Sequence, residues 1–140
     1  MNDALLILMR WLHISSVVVL IGGVIYGRLV LAPALAPLAD QARKETWDRI
    51  AAAFRGWIMA AVAGLLASGL YNLLQKTNPP AGYHMVFGIK MLLALHVFAV
   101  GFLLGKPGVE EAKRTRWMTG ILFSGLAVIA ISAYLRWMSR

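Results

Sequence analysis

Four runs of apolar residues, separated by three short polar or proline-rich breaks, organise the chain. The runs cover about 4–31, 50–74, 84–104 and 117–137. Each is long enough to supply the roughly 20 mostly apolar residues that a membrane-crossing helix needs. The first break, Ala32-Pro33-Ala34-Leu35-Ala36-Pro37, holds two prolines that remove backbone donors and are expected to stop the first helix. The second, Asn78-Pro79-Pro80-Ala81-Gly82, is a strong turn signal, and the third is Gly105-Lys106-Pro107-Gly108. Between the first two runs, the segment Asp40–Arg55 places Trp47, Ile50, Ala51 and Phe54 on one helical face. Arg43, Lys44, Asp48 and Arg55 fall mostly on the other, so this segment predicts an interfacial helix running on into the second span. The pattern predicts an all-α, integral membrane four-helix bundle, a single domain over residues 1–140.

Composition supports the same picture. Of the 140 residues 60% are apolar and 14% charged, against about 45–50% and about 25% in an ordinary globular domain. Part of the surface must therefore face lipid. The net charge of +8 is concentrated near the breaks, which argues against nucleic-acid binding and for the positive-inside pattern of membrane proteins. Arg28, Arg43, Lys44, Arg49 and Arg55 surround the first break, and Lys106, Lys113, Arg114 and Arg116 the third. The opposite side carries Lys76, Arg10, Arg136 and Arg140. This asymmetry predicts cytoplasmic loops at 32–49 and 105–116, and N- and C-termini on the outer, periplasmic side of a bacterial cytoplasmic (inner) membrane. Trp11, Trp57, Trp117, Tyr83, Tyr134 and Trp137 stand near span ends, as interface anchors do. The opening residues lack a basic n-region and a cleavage site, so they read as a retained first helix. Small residues recur at close-packing intervals: Gly23/Gly27, Ala60/Gly64/Ser68, Gly101/Gly105 and Gly120/Ser124.

Chemistry is constrained by what is missing. There is no cysteine, which excludes disulfides, iron–sulfur clusters and thiolate ligation. Asp3, Asp40, Glu45, Asp48, Glu110 and Glu111 all lie outside the expected spans. A carboxylate proton relay or di-iron carboxylate site thus has no ligands within the bundle. What remains there is His13, His96, Arg10, Lys90, a few methionines, and His84 at an outer edge. Ionisable groups in hydrocarbon are costly and are functional candidates by default. Ser16, one turn from His13, is placed to hydrogen-bond the imidazole and fix its tautomer. His96 lies near the middle of the third span, with Lys90 about 9 Å above it along the axis. Neither Arg10 nor Lys90 has a carboxylate in the spans to pair with, so a bound ligand is expected to supply the anion. A tetrapyrrole does so through its propionates while an imidazole takes its iron. The expectation is haem b, with His13 as one axial ligand and His96 or a methionine as the other. Arg10 and Lys90 would lie near the propionates. The plainer alternative is histidines satisfied by serines or carbonyls, with cations snorkelling to headgroups.

Some motifs resemble known families. Trp11-Leu12-His13-Ile14, followed by Ile21-Gly22-Gly23 and the ending Leu31-Ala32-Pro33-Ala34-Leu35, looks like the opening helix of the copper-resistance D (CopD) family. Gly64-Leu65-Leu66-Ala67-Ser68-Gly69-Leu70-Tyr71 and Phe87-Gly88-Ile89-Lys90-Met91-Leu92-Leu93 resemble that family's second and third helices. The pattern of the first helix is also similar to HemJ-type protoporphyrinogen oxidases, small haem-b-binding membrane proteins. The HemJ resemblance implies a haem-dependent oxidoreductase acting on a tetrapyrrole, with His13 as haem ligand and Lys90 matching a lysine of the third helix. The CopD resemblance implies copper handling, with Met9, His13, His84 and Met85 as ligands. The expected partners are the lipid bilayer and quinone or another membrane redox protein, with the chain alone or as a homo-oligomer. A non-catalytic subunit of a larger membrane complex is the remaining alternative.

Overall fold

A computed structural model describes residues 2–140. Helix α1 (Asn2–Tyr26) passes through a π turn (Gly27–Leu31) into the short α2 (Ala32–Leu35). Then follow α3 (Asp40–Leu74), α4 (Tyr83–Leu104) and α5 (Glu111–Met138). Among the described residues four helical stretches are long and apolar enough to cross a membrane: Asp3–Leu35, Asp40–Leu74, Tyr83–Leu104 and Glu111–Met138. The chain is all-helical, an α bundle of multi-pass type.

Two boundaries differ from the sequence expectation. Pro33 does not stop the first helix; the chain stays helical to Leu35. A proline ring collides with the carbonyl of the preceding turn and brings no N–H. Here the turn just before it is widened, with the Ala32 N–H bonded to the Gly27 carbonyl, which gives the ring room. The helix ends at Leu35, two residues before Pro37. Within the connection 32–49, α3 starts at Asp40 and runs unbroken for 35 residues, the interfacial helix expected over Asp40–Arg55 continuing into the second span. Likewise α5 begins at Glu111, inside the stretch expected as a loop.

Helix α1 lies along α3, and α4 along α5; the two pairs meet more sparingly through α1–α5 and α3–α4. This ring order puts α1 and α4 on a diagonal. Both termini share one end of the bundle with the α3–α4 turn, where Gly82 takes a left-handed conformation (φ +80°) to launch α4. The opposite end gathers most of the basic residues.

The bundle is apolar outside as well as in. Leu8, Ile14, Val18, Leu66, Leu70, Leu92 and Phe123 are all exposed, and no more than 28% of each span's most apolar window is buried. Such a surface requires lipid around it. Between helices in lipid there is little hydrophobic drive, so close approach must supply the attraction. The small residues serve this. Gly27 faces the Met118 sulfur, Gly101 faces Leu20, Gly105 faces Arg55, and Gly120 faces His96. Gly125, outside the expected stripes, accepts Ile21.

The basic end is tied by charge. Arg43 donates to Asp40 (2.8 Å), to Glu111 (2.9 Å) and to the Leu38 carbonyl (2.8 Å). Arg114, read from the sequence as a loop cation, is instead 3% exposed. It lies over the Trp47 ring, 5.6 Å from its centre, donates to the Leu104 carbonyl and faces Asp48 at 3.6 Å. Asp48 also accepts the Gly108 N–H at 3.2 Å, which draws the α4–α5 loop onto α3.

Close packing at glycine makes a sharp prediction. A Cβ on Gly23 would run into the Phe54 ring, whereas one on Gly22 would meet nothing within 4 Å. Gly23→Ala should destabilise the folded bundle by about 1–3 kcal/mol while Gly22→Ala is nearly neutral. Denaturant titration of the detergent-solubilised protein, followed by helicity, measures both.

Candidate cofactor site

His13 stands on α1 where Ser68 of α3 faces it. Ser68 is fully buried, and its hydroxyl donates to the Gly64 carbonyl one turn back, at 2.6 Å. A hydroxyl has one proton. With that proton committed to the backbone, the Ser68 oxygen accepts from His13, whose Nδ1 lies 3.0 Å away. The ring is thereby held in the Nδ1–H form, and Nε2 keeps its lone pair. This is the arrangement in which a histidine is set up as a ligand: one nitrogen oriented by a neighbour, the other free to bind.

The expected partner was Ser16, and the structure corrects this. Ser16 is buried on α1 with its hydroxyl turned into the gap left by the missing Cβ of Gly64. Gly64 thus lets α1 and α3 approach, and Ser68, one turn further on, receives the imidazole. The Ala60/Gly64/Ser68 spacing pointed to this seam as packing; it gave no sign that Ser68 would be the polar partner.

Lys90 is half-buried on α4, the helix diagonal to α1. Lys90 and His13 thus lie on different helices toward the same, less buried end of the bundle. Arg10, one turn before His13, is exposed near the terminal end. His96 is not brought to His13. It is exposed, on the outer side of the α4–α5 pair, with Nδ1 3.0 Å from Ser124 Oγ. Two ligands from one chain across the bundle, as expected for His13 and His96, are not juxtaposed here, because each histidine belongs to a different helix pair.

Of the copper alternative, Met9 is half-buried one turn before His13, while His84 and Met85 are exposed at the start of α4. The His84 ring stands edge-on to Tyr83, with centres 6.1 Å apart. Among the described residues no three of His, Cys, Asp and Glu are grouped as a metal site would group them.

Packing is uneven along the bundle. The continuous core of Leu20, Ile21, Val24, Ile58, Ala61, Val97, Leu104, Met118 and Ile121 fills the middle and the basic half. Toward the terminal end burial fades. No described residue of α1 before Ser16 is buried, none of α3 after Ser68, and none of α4 before Ala94. On α5 only Leu135 is buried beyond Gly125. His13 and Lys90 stand in this less buried part of the bundle, an imidazole whose Nδ1 alone is hydrogen-bonded and a cation without an acid partner in the spans. Comparison of the chain with protein-family models, with curated proteins and with solved structures finds no match.

The tautomer argument is open to direct test. In the wild-type protein the His13 ring nitrogens should show the ¹⁵N shifts of a neutral Nδ1–H imidazole. Ser68→Ala should disturb them and cost about 0.6–1.7 kcal/mol of stability, whereas Ser16→Ala should leave the shifts in place.

Proposed function

We propose that the chain is a haem-b-binding redox protein of the bacterial cytoplasmic membrane. In this reading His13 would hold the iron through its unbonded ring nitrogen, and Lys90 and Arg10, toward the same end of the bundle, would attract the propionates. The observation that carries it is the relay from His13 through Ser68 to the Gly64 carbonyl. The cofactor, when bound, supplies one-electron chemistry that the side chains of this protein lack.

The protein's own residues do the positioning. Ser68 holds the imidazole plane and keeps the proton on Nδ1, which raises the donor strength of Nε2. Lys90, in a low-dielectric setting with no acid nearby, is a strong attractor for a carboxylate. Arg10, nearer the interface, is a second one. The resemblance to HemJ-type proteins favours a tetrapyrrole as the reductant and quinone or another membrane redox protein as the electron acceptor. The CopD resemblance suggests copper handling instead, supported by Met9 lying one turn from His13. By the excess of cations at the other end, the terminal end faces the periplasmic side and the basic end the cytoplasm.

A visible absorption spectrum decides between these readings. Protein purified in detergent from haem-replete cells should show a Soret band, lost in His13→Ala and retained in His96→Ala. Ser68→Ala should weaken haem affinity by roughly tenfold or more. A colourless preparation, or a Soret band indifferent to His13→Ala, overturns the haem assignment; copper found in its place by elemental analysis would favour the CopD-like reading.

A further inference from the structure

A second site lies at the other end of the bundle and is independent of the haem reading. A cavity of about 240 Å³ opens between α3 and the end of α4, lined by Arg55, Ile58, Met59, Phe102, Lys106 and Pro107. Arg55 donates from Nε and Nη2 to the Gly105 carbonyl, at 2.8 and 2.6 Å. That bond closes the end of α4 and fixes the guanidinium at the rim, with Nη1 left over. Across the rim the Lys106 ammonium lies 5.8 Å from the centre of the Phe102 ring. No acidic residue lines this cavity; its charge is two cations and nothing else.

The depth is equally specific. Arg55 stands where the charged extension of α3 gives way to its apolar run, and Lys106 lies two residues beyond α4. Both therefore sit at the boundary between hydrocarbon and headgroups. Trp57, 62% exposed, flanks the same boundary as interface tryptophans do. Below the cations the walls are apolar, and Met59 and Phe102 are about half exposed on the outer surface, so the cavity opens sideways into the bilayer.

We propose that this cavity binds one anionic phospholipid, its headgroup phosphate held between Arg55 and Lys106 and an acyl chain lying along Met59 and Phe102. Charge complementarity selects an anionic over a zwitterionic headgroup, since no carboxylate lines the cavity to pair with a choline or ethanolamine cation and Lys106 already faces the Phe102 ring. The apolar walls and lateral opening select a lipid over a free phosphate ion. Basic pockets between helices at the membrane surface recognise acidic lipids on these grounds.

Native mass spectrometry of the full chain released from detergent tests this, with added phosphatidylglycerol, phosphatidylcholine or inorganic phosphate. Phosphatidylglycerol should be retained in preference to phosphatidylcholine, and Lys106→Gln should weaken its retention roughly five-fold. Lys106→Arg should keep it, and so should Lys113→Gln, which removes an equal charge elsewhere at the basic end. Lys106 lies outside the helices and its only side-chain contact of note is with the Phe102 ring, and unchanged helicity confirms that the variant is intact. Equal retention of both lipids, or equal losses in Lys106→Gln and Lys113→Gln, overturns the proposal. Displacement of the lipid by millimolar phosphate overturns it too, and assigns the site to a free anion.

Discussion

A polar side chain placed in hydrocarbon has no water to turn to, and its hydrogen bonds must be found within the bundle. The path from His13 to Ser68 to the Gly64 carbonyl meets that constraint for α1 and α3, and much else follows from it. It joins two helices at a defined rotation. It needs Gly64 bare, because Ser16 fills the space a side chain there would take. It spends the single serine proton on the backbone and so leaves the imidazole with one defined free nitrogen. One short network thus sets helix register and ring orientation.

The two ends of the bundle are built on different principles. At the basic end, salt bridges, the Trp47–Arg114 stack and the Asp48–Gly108 bond hold loops and helix extensions together in a region that water can reach. Exposed pairs of this kind contribute about 0–1 kcal/mol each, so the organisation there depends more on buried Arg114, whose charge is costly to strand. Among the described residues the terminal end has no such network and little burial.

The outer surface is as informative as the interior. Leucine, isoleucine and phenylalanine face outward along every span, so lipid contact stabilises the helices individually and adds little to their association. Association then rests on glycine contacts and on the two histidine–serine pairs. His96 and Ser124 form the second of these on an exposed face, where a hydrogen bond between neighbours keeps imidazole compatible with the bilayer.

The amino-acid sequence by itself determined the number of spans, the basic end and the near-absence of intramembrane acids, since each depends only on composition along a run of about 20 residues. It also singled out His13 and Lys90, because ionisable groups in apolar runs stand out without any structure. Which serine would meet His13 was decided by tertiary packing: Ser16 is nearer in the chain, but Ser68 comes opposite once Gly64 lets α1 and α3 close together. The same holds for His96, whose depth along α4 was legible while its direction, outward toward Ser124, depended on how α4 turned against α5. Likewise Arg114 looked like an ordinary loop cation until α5 began early enough to bury it over Trp47. Hydropathy along a chain reports depth in the membrane; rotation about each helix axis is settled only by which neighbours the small residues admit.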